Sequence, residues 1–353
     1  MQNPFSTTFS KIPAYSYIPT DQSAEIIENF SLVDPSESVY KITGVRGSGK
    51  TVLLGKIEEE MSDAEFRENG WEIFRLSPSR DLLKQFAAML VQKGYIKAGL
   101  RGKGFNISAS VLGTGGGFGF SSEAQDSLFD IGVELDRTLE AAASEGKKFL
   151  IGIDEISRTN EMETFTSEFG KWLRAGFPVY LVCTGLYDNI EQLCNVKNLT
   201  FFRRATTVRT EPLSFIRMSE TYKNKLHIDH ATAKQLAEIT KGYPYAFQEL
   251  GVLYFKKKPG DTLDNLVGQL QSELFAYAYE KIWEELSDED RRMAKILSLK
   301  DELKREEVLK KMEKPSNYSV YRDRLLKRGL ATTRHSYLSL SLPYFSEYIK
   351  EYT

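Results

Sequence analysis

Apolar positions along this chain change their pattern twice. Up to about residue 37 they are scattered among Pro, Ser and Thr, apart from a short helical stretch at 23–30. Val39-Tyr40-Lys41-Ile42-Thr43 then reads as a strand running straight into a glycine-rich turn, and Leu53, Leu54 and Ile57 follow at helical spacing over 51–61. A strand at 71–76 and a helix at 81–92 come next. The apolar runs at 149–153 and 179–183 lack polar alternation, as expected of strands buried on both faces of a parallel sheet. Helices are expected at about 124–144 and 163–175, and a last strand at 205–209. This alternation of strand and helix predicts an α/β domain with a largely parallel sheet.

One segment breaks the alternation. Phe105, Ile107, Ala109 and Val111 alternate with mostly polar neighbours, and Phe118 and Phe120 follow Gly113-Thr114-Gly115-Gly116-Gly117. This is the pattern of a β-hairpin inserted at about 104–121. No helix with a Lys-Ser/Thr pair opens from its tip, so a structural or partner-contacting hairpin is expected rather than a phosphate loop. From Ser214 helical patterns dominate to about residue 312, then come a last helix and two short β-like runs at 330–333 and 337–342. The expected division is a core over 1–213, a helical lid over 214–283 and a C-terminal module over 284–353.

Composition narrows the class. The chain has 353 residues, 41% of them hydrophobic and 27% charged, ordinary values for a globular protein of two or three domains. Its 47 basic residues against 49 acidic ones give a net charge of −2, so no overall basic excess points to nucleic acid. Two cysteines, Cys183 and Cys194, make no disulfide scaffold and suit a reducing compartment. With neither a secretory signal pattern after Met1 nor an apolar run of membrane-spanning length, a cytoplasmic protein without membrane contact is expected.

The chemistry concentrates in two places. Gly44-Val45-Arg46-Gly47-Ser48-Gly49-Lys50-Thr51 fits G-x-x-x-x-G-K-[ST] between a strand and a helix. Glycines let successive backbone N–H groups converge on phosphate oxygens, and the helix N-terminus adds positive potential. Gly44, Gly47, Ser48, Gly49, Lys50, Thr51 and Val52 are therefore expected to bind nucleotide, with Lys50 on the β- and γ-phosphates and Thr51 on Mg²⁺. A chance match somewhere in such a chain has a probability of roughly one in a hundred. The apolar strand Phe149-Leu150-Ile151-Gly152-Ile153 ends in Asp154-Glu155. Asp154 is expected at Mg²⁺, directly or through water, and Glu155 beside the attacking water. That second carboxylate favours hydrolysis over transfer to a small acceptor carrying its own hydroxyl.

Three further candidates are less specific. Thr184, ending the strand Pro178-Val179-Tyr180-Leu181-Val182-Cys183, either orients water between the acids and the γ-phosphate or caps its own turn. Arg203 and Arg204 either serve as a finger reaching a neighbouring subunit's γ-phosphate or form a solvated basic turn. His227 and His230 have no cysteine nearby and make a poor metal site.

Taken together, the motifs resemble AAA-type ATPases of the bacterial and archaeal group related to origin-recognition initiators, which borders the signal-transducing STAND ATPases. The matching stretches are Asn3-Pro4-Phe5, Gly44 through Thr51, Ile153-Asp154-Glu155, Gly185-Leu186, Pro212-Leu213-Ser214, Gly242-Tyr243-Pro244, Tyr321-Arg322-Asp323-Arg324-Leu325 and Leu342-Pro343-Tyr344-Phe345. The resemblance implies a P-loop ATPase core, a small helical lid and a C-terminal winged helix, with ATP and Mg²⁺ as cofactors and homo-oligomers among the expected partners. It also implies that Pro244, in the Gly-x-Pro turn of the lid, packs near the nucleotide. The sequence departs from the group in three places: Tyr17-Ile18-Pro19-Thr20-Asp21 replaces the usual Gly-Arg-acid step, Pro244-Tyr245-Ala246 replaces the lid arginine, and Gly185 follows Thr184 where STAND members tend to carry arginine.

Between Lys314 and Arg334 stand six basic residues, Lys314, Arg322, Arg324, Lys327, Arg328 and Arg334, against one acid, Asp323. Such local clustering is the electrostatic footprint of phosphate contact, so double-stranded DNA is one expected partner of the winged helix. The other expectation is a signalling or defence ATPase whose C-terminal module contacts protein, and a third is an ATP-binding scaffold with negligible turnover.

Overall fold

The computed structural model describes residues 2–8, 12–96 and 131–353. The expected hairpin at 104–121 and the first part of the helix expected at 124–144 lie outside them. In chain order the elements of the first half are α1 (Asp21–Ser31), β1 (Val39–Thr43), α2 (Lys50–Glu60), α3 (Ala64–Glu68), β2 (Trp71–Leu76), α4 (Leu82–Gln92), α5 (Ile131–Ser144), β3 (Lys148–Ile153), α6 (Asn160–Ala175), β4 (Val179–Gly185), α7 (Tyr187–Cys194), α8 (Thr200–Arg204) and β5 (Thr206–Arg209). The five strands form one sheet in the order β2-β3-β4-β1-β5, every neighbouring pair parallel.

Both faces of this sheet are covered, which is why its central strands β3 and β4 read as nearly unbroken apolar runs. Period-two alternation splits them between two cores. Val39, Phe149, Ile151, Ile153, Val179, Leu181 and Cys183 pack with Phe86 of α4, Leu139 of α5 and Phe165 and Trp172 of α6. Tyr40, Ile42, Leu150, Tyr180 and Val182 face the other way, onto Ile26 and Phe30 of α1 and Leu53, Leu54 and Ile57 of α2. Phe30, Trp71 and Tyr180 meet as an aromatic trio with centroids 4.8–5.7 Å apart. Each such buried side chain stabilises the fold by roughly 1.5–3 kcal/mol.

One polar residue on β1 has a positioning role. Lys41 is buried, and its Nζ donates to the carbonyl of Phe202 at 2.7 Å. It thereby ties the short α8, with Arg203 and Arg204, to the sheet.

The second half is helical: α9 (Phe215–Leu226), α10 (His230–Thr240), α11 (Pro244–Lys256), α12 (Leu263–Leu274), a π-helical turn at Phe275–Tyr279, and α13 (Glu280–Glu284). Then follow α14 (Asp288–Leu297), β6 (Leu303–Lys304), α15 (Arg305–Leu309), α16 (Tyr318–Lys327), β7 (Ala331–Arg334), β8 (Tyr337–Leu340) and α17 (Phe345–Tyr352). The last three strands make a small antiparallel sheet in the order β6-β8-β7. A single hydrophobic core runs through this half, from Tyr222 and Phe247 through Leu270 and Tyr279 to Leu325 and Phe345. The N-terminal segment joins that core. Phe5 packs tilted against Tyr222 and edge-on to Phe247, while the Gln248 side chain accepts from the Ser6 amide at 3.1 Å and donates to the Ser16 carbonyl at 3.2 Å. Asn3-Pro4-Phe5 thus pins the start of the chain across α11. No helix among the described residues is long and apolar enough to cross a membrane.

Candidate nucleotide site

The strand order sets the geometry. β4 lies between β1 and β3, so the loop after β1 and the acids after β3 flank whatever ends β4. β4 ends in Thr184-Gly185, and Thr184 is paired in register with Ile42 of β1. Open parallel sheets bind ligands outside the carboxyl ends of their strands, and a cleft of about 480 Å³ opens there.

The floor of the cleft is residues 46–53. A Cβ on Gly44 would stand 1.9 Å from the Thr210 hydroxyl and 2.5 Å from that of Ser48, so both would have to shift for any larger residue. Gly47 combines φ +74° with a Tyr243 hydroxyl 2.3 Å from the place a Cβ would take. α2 then opens from Gly49 with no side chain capping its first N–H groups, whereas Asp81, Thr159 and Ser287 cap α4, α6 and α14. Free N–H groups at a helix start are an anion-binding surface. The Lys50 ammonium lies over the loop, donating to the carbonyls of Gly44 and Val45, each at 3.0 Å. Burial lowers its pKa to about 8, and nearby Glu155 and Asp154 only partly offset this. A lysine so desolvated gains most when an anion enters.

Across the cleft the acids are held by Thr184, whose side chain is fully buried. Its hydroxyl donates to Asp154 Oδ1 and accepts from the Glu155 amide at 3.0 Å. Its carbonyl accepts from the Ile156 amide at 2.8 Å. Glu155 adopts φ +55°, a left-handed conformation that costs a non-glycine residue about 1 kcal/mol or more and persists only where surroundings enforce it. Here the Thr184 hydroxyl, bonded to the Glu155 amide, supports it, and Glu155 lines the cleft. Thr184, next to last in β4, therefore acts on the acids, and its single proton is committed to Asp154. The hard oxygens of Thr51 and Asp154 fit Mg²⁺, which keeps waters and phosphate oxygens as its other ligands. Among the described residues no group of three or more His, Cys, Asp and Glu forms a self-sufficient metal cage.

The walls come from distant parts of the chain. Pro13, Tyr17, Ile18, Thr20 and Gln22 form one side, and Pro244, Tyr245 and Gln248 form another. The Gly242-Tyr243-Pro244 turn sits directly on the phosphate loop: the Tyr243 hydroxyl donates to the Arg46 carbonyl at 2.6 Å, and the Tyr245 amide to the Gly47 carbonyl at 3.2 Å. Pro244 itself lines the cleft. Thr210, Asn189 and Glu285 also line it but carry no local motif. Thr210 donates to the Ser48 hydroxyl at 2.8 Å. Arg203 and Arg204 lie elsewhere. They are exposed, precede β5 at the amino ends of the strands, and have no ion-pair partner among the described residues.

The basic stretch near the C-terminus differs from its linear reading. Asp290 is fully buried, and its Oδ2 accepts from Arg324 Nε at 3.1 Å and from Arg328 at 2.7 Å. Arg328 also reaches Asp188 of α7 at 2.6 Å, Lys327 sits over the Tyr187 ring at 5.9 Å, and Arg322 pairs with the adjacent Asp323. Four of the six cations therefore have partners within the chain, three of them turned inward or onto the core. Counting charges along a segment overstated the surface available to phosphates.

No family model matches the chain. No curated protein matches it in sequence. Among solved structures it is similar to a Walker-type ATPase of Pyrococcus abyssi, with 15% identity, a TM-score of 0.58, and coverage of 94% of this chain and 95% of that one. It is also similar to the ORC2 protein of Aeropyrum pernix in its ADPNP–ADP complexes, with 11% identity, a TM-score of 0.55, and 95% of each chain covered. The likeness shows the fold alone: an α/β domain with a five-stranded parallel sheet followed by a helical half, shared over nearly the full length of each chain.

Proposed function

We propose that this chain binds ATP with Mg²⁺, hydrolyses it slowly, and uses the nucleotide state to set the position of a C-terminal winged helix formed by α14–α16 and the β6-β8-β7 sheet. The observation that carries this is that the desolvated Lys50 ammonium and Glu155 line one cleft, with Asp154, which Thr184 holds, acting electrostatically on the same lysine. On binding, Lys50 exchanges two carbonyl partners for phosphate oxygens, and the free N–H groups of α2 take further oxygens. Thr51 and Asp154 would hold Mg²⁺, which would supply neutralisation of phosphate charge. Glu155, which lines the cleft, accepts the proton of the attacking water. Release of inorganic phosphate from ATP, dependent on Mg²⁺ and suppressed by EDTA, is the expected result with the purified chain. Undiminished release in excess EDTA would count against it.

A second reading concerns the partner. The commitment of Arg324 and Arg328 to Asp290 favours a winged helix that contacts protein, the core included, over one that grips DNA. Fluorescence anisotropy with labelled duplex distinguishes the two. Each phosphate contact contributes roughly 0.9 log units of affinity per decade of salt. Salt-dependent binding lost in Arg334→Ala would restore DNA as the partner.

A further inference from the structure

We propose that Arg46 reads the terminal phosphate of the bound nucleotide and that Glu285 is the group it releases in doing so. This rests on the nucleotide reading of the cleft and adds to it the residue that reports which nucleotide is present.

Arg46 is the third residue of the phosphate loop, and both it and Glu285 line the cleft. Their ion pair is long, 3.4 Å, with both side chains about two-fifths exposed at 41% and 39%. Exposed pairs of this kind contribute little. The guanidinium is also incompletely satisfied, since Arg46 Nε is buried without a hydrogen-bond partner. A phosphate offers that fork two charge-assisted bonds, which an exposed carboxylate at this distance does not. Arg46 and Glu285 both act electrostatically on Lys50, which places them beside the phosphate-binding ammonium. The exchange needs only a side chain to move, because the Tyr243 hydroxyl holds the Arg46 carbonyl at 2.6 Å.

Glu285 is well placed to transmit the change. It directly follows α13, and its amide donates to the Lys281 carbonyl at 3.2 Å. Arg291 binds back to the carbonyls of Trp283 at 3.0 Å and Glu284 at 3.1 Å, so residues 283–291 form one hydrogen-bonded unit. Within that unit Ser287 and Asp290 hold Arg324 and Arg328 of the winged helix. On the loop side, Val45 Cγ1 lies 3.2 Å from where a Cβ on Gly329 would stand, so loop and winged helix touch directly. Losing the Arg46–Glu285 pair removes one tie between the loop and residues 283–291 when triphosphate is bound, while the Val45 contact stays. With diphosphate the pair persists.

Binding of ADPNP and of ADP to the wild type, Arg46→Gln, Arg46→Lys and Glu285→Gln, together with hydrogen exchange over 283–291, tests this. Arg46→Gln should lower the preference for ADPNP over ADP roughly tenfold or more, as loss of a charge-assisted bond does, with Arg46→Lys intermediate. Exchange over 283–291 should be faster with ADPNP than with ADP in the wild type, and fast with both in Glu285→Gln. Wild-type protein that binds both nucleotides, with an unchanged preference in Arg46→Gln or equal exchange in the two states, would overturn the role of Arg46 alone. Wild-type protein that binds neither would overturn the nucleotide site itself and this role with it.

Discussion

The Thr184 hydroxyl donates to Asp154 and in the same position accepts from the amide of Glu155 at 3.0 Å, so one side chain at the end of β4 sets both acids at the end of β3. Valine at 184 keeps the shape but removes donor and acceptor together. It would leave the Glu155 amide unpaired in a left-handed conformation. Thr184→Val should lower ATP turnover by about 10- to 100-fold, as loss of a supporting hydrogen bond at a reactive site commonly does, with nucleotide affinity within about threefold. Thr184→Ser should retain most of the activity. Steady-state phosphate release and ADPNP titration of both variants check this.

Lys50 gives the site a pH signature. Its ligand-free pKa is depressed to about 8, whereas phosphate binding favours the ammonium form. Below about pH 8 the lysine is charged before and after binding, and affinity is flat. As pH rises through about 8, binding must take up a proton, so ADPNP affinity falls, by at most tenfold per pH unit. The same shift has the opposite sign for stability: between about pH 8 and the ordinary lysine range the unfolded chain holds more protons, so the ligand-free fold gains stability with pH. ADPNP titrations from pH 7.5 to 9.5 measure the first effect, and constant affinity across that range would contradict it.

The ion cluster at Asp290 makes a stability prediction. Asp290→Ala would leave Arg324 and Arg328, with only 33% and 14% of their side chains exposed, without their shared partner. Breaking a buried pair by removing one member costs about 3–5 kcal/mol. The exposed Arg334→Ala on β7 should change stability by no more than about 0.5 kcal/mol. Urea denaturation of the two variants makes the comparison.

Arg203 and Arg204 are held outward by the Lys41 anchor on α8, far from the cleft of their own chain. If either completes a neighbour's site, turnover per subunit should rise with protein concentration, and Arg203→Ala or Arg204→Ala should abolish that rise. Turnover independent of concentration, across a range in which light scattering detects assembly, would leave both arginines as surface charges.

How much of this could be read beforehand depended on the range of the interactions. β3 and β4 were legible because strands buried on both faces cannot hide their apolar runs, and the Gly44–Thr51 and Asp154-Glu155 motifs stood out because their spacing is local. α3, α7 and α8 were missed: helices of five to eight residues present too few turns for a periodic signal. In α7, though, Ile190, Leu193 and Cys194 did carry one. The two-residue β6 exists only through its pairing with β8. The bond between Asp290 and Arg324 spans 34 positions, and Glu285 reaches Arg46 across 239. Nothing in the local sequence around those residues announces either contact. Thr184 was visible as the polar end of an apolar strand, but its hold on both acids required the strand order.

The central claim is that the two sides of the cleft act at different stages, Lys50 on the bound phosphates and Glu155 on the water during reaction. A fluorescent ATP analogue titrated against Lys50→Ala and Glu155→Gln, with phosphate release measured in parallel, tests it most directly. Lys50→Ala should lose binding, and Glu155→Gln should bind like the wild type and release no phosphate. Equal affinity of Lys50→Ala and wild type would contradict the nucleotide assignment, and undiminished turnover in Glu155→Gln would contradict the assignment of the acid.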